Sequence, residues 1–131
     1  MSKIRAFSFR YGENTGKMEW YQVEDDHQAV CVRINRYDGQ EEARYYEMEQ
    51  GFLEDLNRML MGATVPAWDG VYDISNTACS GDTWVMHLYY QDGEEAHAMG
   101  HTAYPEGFET GKQAILAFFK KLIQERENSN G

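Results

Sequence analysis

The chain has 131 residues and carries 22 acidic against 12 basic side chains, a formal net charge of −10. That length suits one domain with its own core, and 42% hydrophobic and 14% aromatic residues with only two prolines exclude intrinsic disorder. A pI near 4.7 denies it the basic face that a nucleic-acid binder uses to displace counterions, so no nucleic-acid partner is expected.

Ile4 to Tyr11 alternates as a strand does, with Phe7, Phe9 and Tyr11 on one face and Ile4, Ala6 and Ser8 on the other. A turn through Gly12 and Gly16 leads into a second strand, Met18 to Glu24, closed by Asp25 and Asp26. Ala29 to Arg36 reads as a third, with Val30, Val32 and Ile34 inward. The turn Tyr37-Asp38-Gly39 returns it as a fourth, Glu42 to Met48.

The period then changes. Phe52, Leu56, Met59 and Leu60 recur at helical spacing and Gly62 is a stop, though no capping residue precedes Gly51. A loop through Pro66 reaches Trp68-Asp69-Gly70 and a short strand, Val71 to Ile74. Two further strands follow, Thr83 to Tyr90 and Glu95 to His101, joined at Asp92-Gly93. Thr110 and Gln113 have the spacing of a capping box, and Ile115, Leu116, Phe119, Leu122 and Ile123 form one apolar stripe of a closing helix. The expected fold is α+β: an antiparallel sheet of about seven strands, in the order four strands, helix, three strands, helix, with both helices packed on one face. Residues 1–126 make the single domain and 127–131 a frayed tail.

Cys31 and Cys79 are isolated, without C-x-x-C or metal-ligand spacing, and read as free thiols of a reducing compartment. No apolar run approaches the roughly eighteen residues of a membrane span, and no apolar stretch follows the first charged residues. The expected location is therefore cytoplasmic, without membrane contact.

The negative charge is uneven. Between Arg58 and Lys112 there is no Lys or Arg, while Asp69, Asp73, Asp82, Asp92, Glu94, Glu95, Glu106 and Glu109 all fall there. Residues 59–111 read as an acidic docking surface for a basic protein, because opposite fields speed association and select partners. Asp beside a glycine turn also has a purely local rationale.

Histidines depend on hairpin register. A two-residue loop at Asp92-Gly93 would set His87 opposite Ala98, whereas a three-residue loop through Gln91 would set it opposite His97. The second is preferred on packing grounds. It groups Ala96, Ala98 and Gly100 with Trp84, Met86 and Leu88, and puts His87, His97 and His101 on the other face. Cross-strand histidines can hold zinc or copper but also occur as plain surface residues, so no metal and no cofactor is expected. There is no G-x-S-x-G, P-loop, H-E-x-x-H or EF-hand pattern, and no catalytic residue is assigned.

The succession Trp68-Asp69-Gly70, Gly81-Asp82-Thr83-Trp84, Tyr90-Gln91-Asp92-Gly93, Gly100 and Tyr104-Pro105-x-Gly107-Phe108 resembles small uncharacterised bacterial proteins with a W-D-G, D-G-x-x-W, Y-x-D-G, G-x-x-x-Y-P-x-x-F pattern. It departs from that pattern in having Gly81-Asp82 in place of Asp-Gly, and it covers the C-terminal third to half of the chain. The resemblance implies a bacterial origin and a shared fold, and no activity.

The sequence thus reads as a non-enzymatic binding domain whose size and charge would suit an immunity or inhibitor role against a basic protein. Its candidate binding residues are Trp68, Asp69, Asp73, Asp82, His87, His97 and His101. The alternative is a small-ligand or carbohydrate-binding domain, or a hydrolase, using Trp68, Asp69, Asp82 and the His87/His97 face. Oligomeric state is left open.

Overall fold

Alternation along the strands becomes burial on one side of a single sheet. The computed structural model describes residues 3–13, 16–73, 82–101 and 103–129. Its elements are β1 (Ile4–Gly12), β2 (Met18–Asp25), β3 (Val30–Tyr37), β4 (Glu41–Met48), α1 (Gly51–Gly62), β5 (Gly70–Asp73), β6 (Thr83–Tyr90), β7 (Glu95–His101) and α2 (Phe108–Ser129). The strands lie in the order β4-β3-β2-β1-β6-β7-β5.

Pairing is antiparallel from β4 through to β7. β5 departs from the expected all-antiparallel sheet: it runs parallel to β7, with Gly70 opposite Ala98 and Asp73 opposite His101. The cause is the single 3₁₀ turn Val65–Trp68, which buries Val65 and Trp68 and delivers the chain onto the sheet midway along β7. Ile74, expected in this strand, lies outside the described residues.

Phe7, Phe9, Tyr21, Val23, Val32, Ile34, Trp84, Met86 and Leu88 form the inner face, all buried. Leu53, Leu56 and Leu60 of α1 and Ile115 and Phe119 of α2 pack on that same face as one cluster. Tyr21 stacks on Phe119 with ring centroids 4.8 Å apart, and Phe52 of α1 meets Phe118 of α2 at 5.3 Å. Ile4 joins the core, contrary to the simple alternation, because the β1–β6 register shifts between Ile4 and Ala6.

Two glycines admit the tryptophans. A Cβ on Gly100 would stand 2.2 Å from Trp84 Nε1, whose N–H donates to the Ala103 carbonyl at 2.9 Å. A Cβ on Gly111 would stand 2.4 Å from Trp68 Cζ2. α2 begins at Phe108, before the capping box expected at Thr110, because Gly107 takes a φ of 77° and Phe108 N–H donates to the Pro105 carbonyl. Gln113 instead donates from its side chain to Glu109 within the helix. The helix runs on to Ser129, past the expected boundary at 126, where Arg126 donates to the Glu47 carbonyl at 2.7 Å and Glu127 pairs with Arg44.

At this same end of the sheet, where β2 closes, Asp25 ties three connections together. Its carboxylate accepts from His27 N–H at 2.9 Å, Gln50 Nε2 at 2.9 Å and Gln91 Nε2 at 3.3 Å. The Gln50 bond and then the His27 N–H hold its pKa below the usual carboxylate range.

Gly111→Ala should lower the urea midpoint although alanine is the better helix former by about 1 kcal/mol, since overpacking against Trp68 costs about 1–3 kcal/mol. Asp25→Asn should cost about 1–2 kcal/mol at neutral pH, because an amide cannot accept from all three donors. With its folded pKa depressed, the carboxylate contributes stability above the ordinary carboxylate range and loses it as pH falls through the folded value. Denaturation curves of wild type and Asp25→Asn should therefore draw together as pH falls through that depressed folded value.

Candidate functional site

The structure separates the residues that the sequence grouped together. Trp68 is 1% exposed and sits against Trp84 (5.7 Å) and Phe108 (5.0 Å), so it is a core residue and no platform for a ligand. Asp69 accepts from the backbone N–H of His97 at 2.9 Å, just before β5 begins, so its Oδ1 serves the sheet. Asp73 ends β5 opposite His101, and its side chain lies outside the described set. Asp82 precedes β6, whereas Asp92, Glu94 and Glu95 lie past its far end, about 25 Å away at the usual rise per strand residue. Asp82 and the Asp92–Glu95 group therefore stand at opposite ends of β6 and cannot form one surface patch.

His87 does face His97, through the three-residue loop in which Tyr90 N–H donates to the Glu94 carbonyl. His101 lies on the same outer face but further along, opposite Thr83. Of the cysteines, Cys31 is exposed with its thiol pushed up by burial and by Asp26, and Cys79 is outside the described residues.

What gathers is the end of the sheet where Asp82 stands. Strand alternation brings the β1–β2 turn, the β3–β4 turn, the start of β6 and the start of α2 to this end, with Gly12 paired to both Met18 and Thr83 and Tyr37 to Glu41. Tyr11, at the centre, donates its hydroxyl to Asp82 Oδ2 at 2.7 Å, and Tyr104 donates to the same oxygen at 3.4 Å. Lys112 lies over the Tyr11 ring, its Nζ 4.2 Å from the centroid, and 3.8 Å from Glu109.

Tyr11 and Lys112 thereby divide two open clefts. The larger, about 800 Å³, carries Glu13, Glu19, Asp38, Glu41 and Glu42 on its walls against Lys17, Arg36 and Lys112. Lys17 is 3.8 Å from Asp38 and Arg36 is 3.8 Å from Glu19, so these cations are already engaged by carboxylates. The smaller, about 440 Å³, is walled by Asp82, Glu109 and the exposed ring of Tyr104, with Phe108 beneath. Its described lining contains no Lys or Arg.

Burial, then the bond to Asp82, pushes the Tyr11 phenol well above its ordinary value, and Tyr104 is raised by burial and by the Asp82 charge. Both hydroxyls are therefore protonated donors at neutral pH, and they hold Asp82 as an oriented carboxylate at the lip of the smaller cleft. Sequence reading missed Tyr11, Tyr104 and the carboxylates of the two hairpin turns. The available signal was the placement of Asp38, Glu41 and Glu42 around Gly39, but only strand order shows that this turn and Asp82 share an end.

Asp82→Asn should bring part of the delayed tyrosine ionisation back toward pH 10 in a spectrophotometric titration, because it removes the charge that opposes Tyr11 and Tyr104 phenolate. Tyr11→Phe should cost about 1 kcal/mol in a denaturation experiment on the same grounds. In comparison with known proteins, no family model and no curated protein matches the chain.

Proposed function

We propose that the protein is a non-enzymatic binding module that docks a basic protein partner at this acidic end. The observation that supports it is the charge of the two clefts: carboxylates outnumber cations on the walls of the larger, and the described lining of the smaller carries Asp82 and Glu109, the latter also 3.8 Å from Lys112. A partner's Arg or Lys finds there an aromatic ring, Tyr104, beside an oriented carboxylate, the pairing that favours a cation at a partly desolvated surface. The open shape of both clefts suits side chains projecting from a protein surface.

This reading keeps Asp82 and Glu109 from the acids of 59–111 and adds to them carboxylates from the hairpin turns. The small-ligand and carbohydrate alternative is weakened, since Trp68 is buried and the His87/His97 pair lies on the outer sheet face, away from the cleft that holds Asp82. An immunity or inhibitor role against a basic protein remains the form of the proposal that fits size and charge, in a bacterial cytoplasm. Among the described residues, no helix is long and apolar enough to cross a membrane.

Capture from host lysate tests the reading. The chain should retain a basic protein at low salt and lose it near 0.5 M, where screening shortens to about 4 Å. The triple variant Glu41→Gln/Asp82→Asn/Glu109→Gln should weaken that capture at least tenfold, while Asp92→Asn/Glu94→Gln at the far end should leave it intact. Equal capture by both variants would overturn the assignment of the docking end.

A further inference from the structure

The outward face of β6 and β7 belongs neither to the core nor to the acidic end. His87 and His97 are directly opposed there, their Nδ1 atoms 2.6 Å apart and their rings 4.8 Å apart at 78°. Two nitrogens this close need one proton or one cation between them, because two imidazolium N–H groups would repel. Glu95 Oε1 lies 3.2 Å from His97 Nε2. That carboxylate stands beside the imidazole nitrogen of His97 that does not face His87. Tyr89 walls the pair, parallel to His87 and 5.2 Å from the His97 ring.

We propose that His87 and His97 form a two-imidazole chelate for a late first-row divalent cation, copper(II) above all, on the open sheet face. With metal–nitrogen bonds of about 2.0 Å, cis ligands of a tetragonal ion stand about 2.8 Å apart and those of a tetrahedral ion about 3.3 Å apart. The observed 2.6 Å is within a short ring movement of either bite, and the general affinity order favours copper(II) over zinc. The rings meet nearly end to end, so each turns about its Cβ–Cγ bond until both lone pairs converge on the ion. The ion replaces the shared proton: the ring that carries it moves its N–H from Nδ1 to Nε2, and the neutral pair releases none. Among the described residues no group of three or more His, Cys, Asp or Glu is arranged for a metal, so water or a partner's donor fills the remaining positions.

Calorimetric titration of the metal-free full chain with copper(II) chloride, and separately with zinc chloride, tests this. One copper(II) per chain should bind, at least about tenfold tighter than zinc. Its electron paramagnetic resonance spectrum should show coupling to two nitrogens. His87→Gln and His97→Gln should each weaken copper at least tenfold, and His101→Gln should change nothing. The proposal is overturned by wild-type affinity in His87→Gln or His97→Gln, by an equal loss in His101→Gln, or by a spectrum without two-nitrogen coupling. The spectral result stands on wild-type protein and so survives any folding defect in the variants.

Discussion

Everything at the acidic end depends on how the first turns of α2 dock on a bed of aromatic rings. Phe108 lies 4.8 Å from Trp84, 5.0 Å from Trp68 and 4.8 Å from Tyr104, with Tyr11 at 6.5 Å. The contact is possible only because Gly100 and Gly111 carry no Cβ where the tryptophan rings pass. Burial of such rings is worth several kcal/mol and is geometrically demanding, so it fixes the helix start to a definite place on the sheet. From that placement follow the positions of Tyr104, Glu109 and Lys112, and with them the walls of both clefts.

The two ends of the sheet spend negative charge differently. At one, Asp25 is buried and fully committed to donors from its own turn and from Gln50 and Gln91, so it is a structural group that holds three connections in register. At the other, carboxylates stand around open clefts, where water supports their charge and a cationic partner can replace that water. Glu109, in the first turn of α2, also faces the positive end of the helix dipole, which eases the local crowding of like charge. Asp82 combines the two modes, fixed by tyrosine hydroxyls yet placed at a cleft wall.

The open face of the sheet is a third environment. The same alternation that buries Trp84, Met86 and Leu88 turns Val85, His87 and Tyr89 outward, and the three-residue loop at Gln91–Gly93 sets the histidines in register. Had the loop been one residue shorter, His87 would have met Ala98 and the histidine pair would not exist. A local turn preference thus decides whether two titratable rings touch.

Much of the fold was legible from local patterns. Alternation placed every strand within one or two residues, the helical stripes identified α1 and α2, and the large-beside-small pairing of Trp84 and Met86 with Gly100 and Ala98 selected the correct hairpin register. These signals are carried by residues near one another in the chain, where side-chain period and turn chemistry act directly. The chain could not by itself determine the parallel docking of β5, the insertion of β6 beside β1, the register shift that buries Ile4, or the burial of Trp68. Nor could it show that Asp82 belongs with Tyr11 and the carboxylates of the β3–β4 turn, while Asp92 lies a strand length away. Those facts are long-range pairings, chosen by how completely the aromatic core can close over the sheet, and charge counted along the chain carries no record of which ends meet.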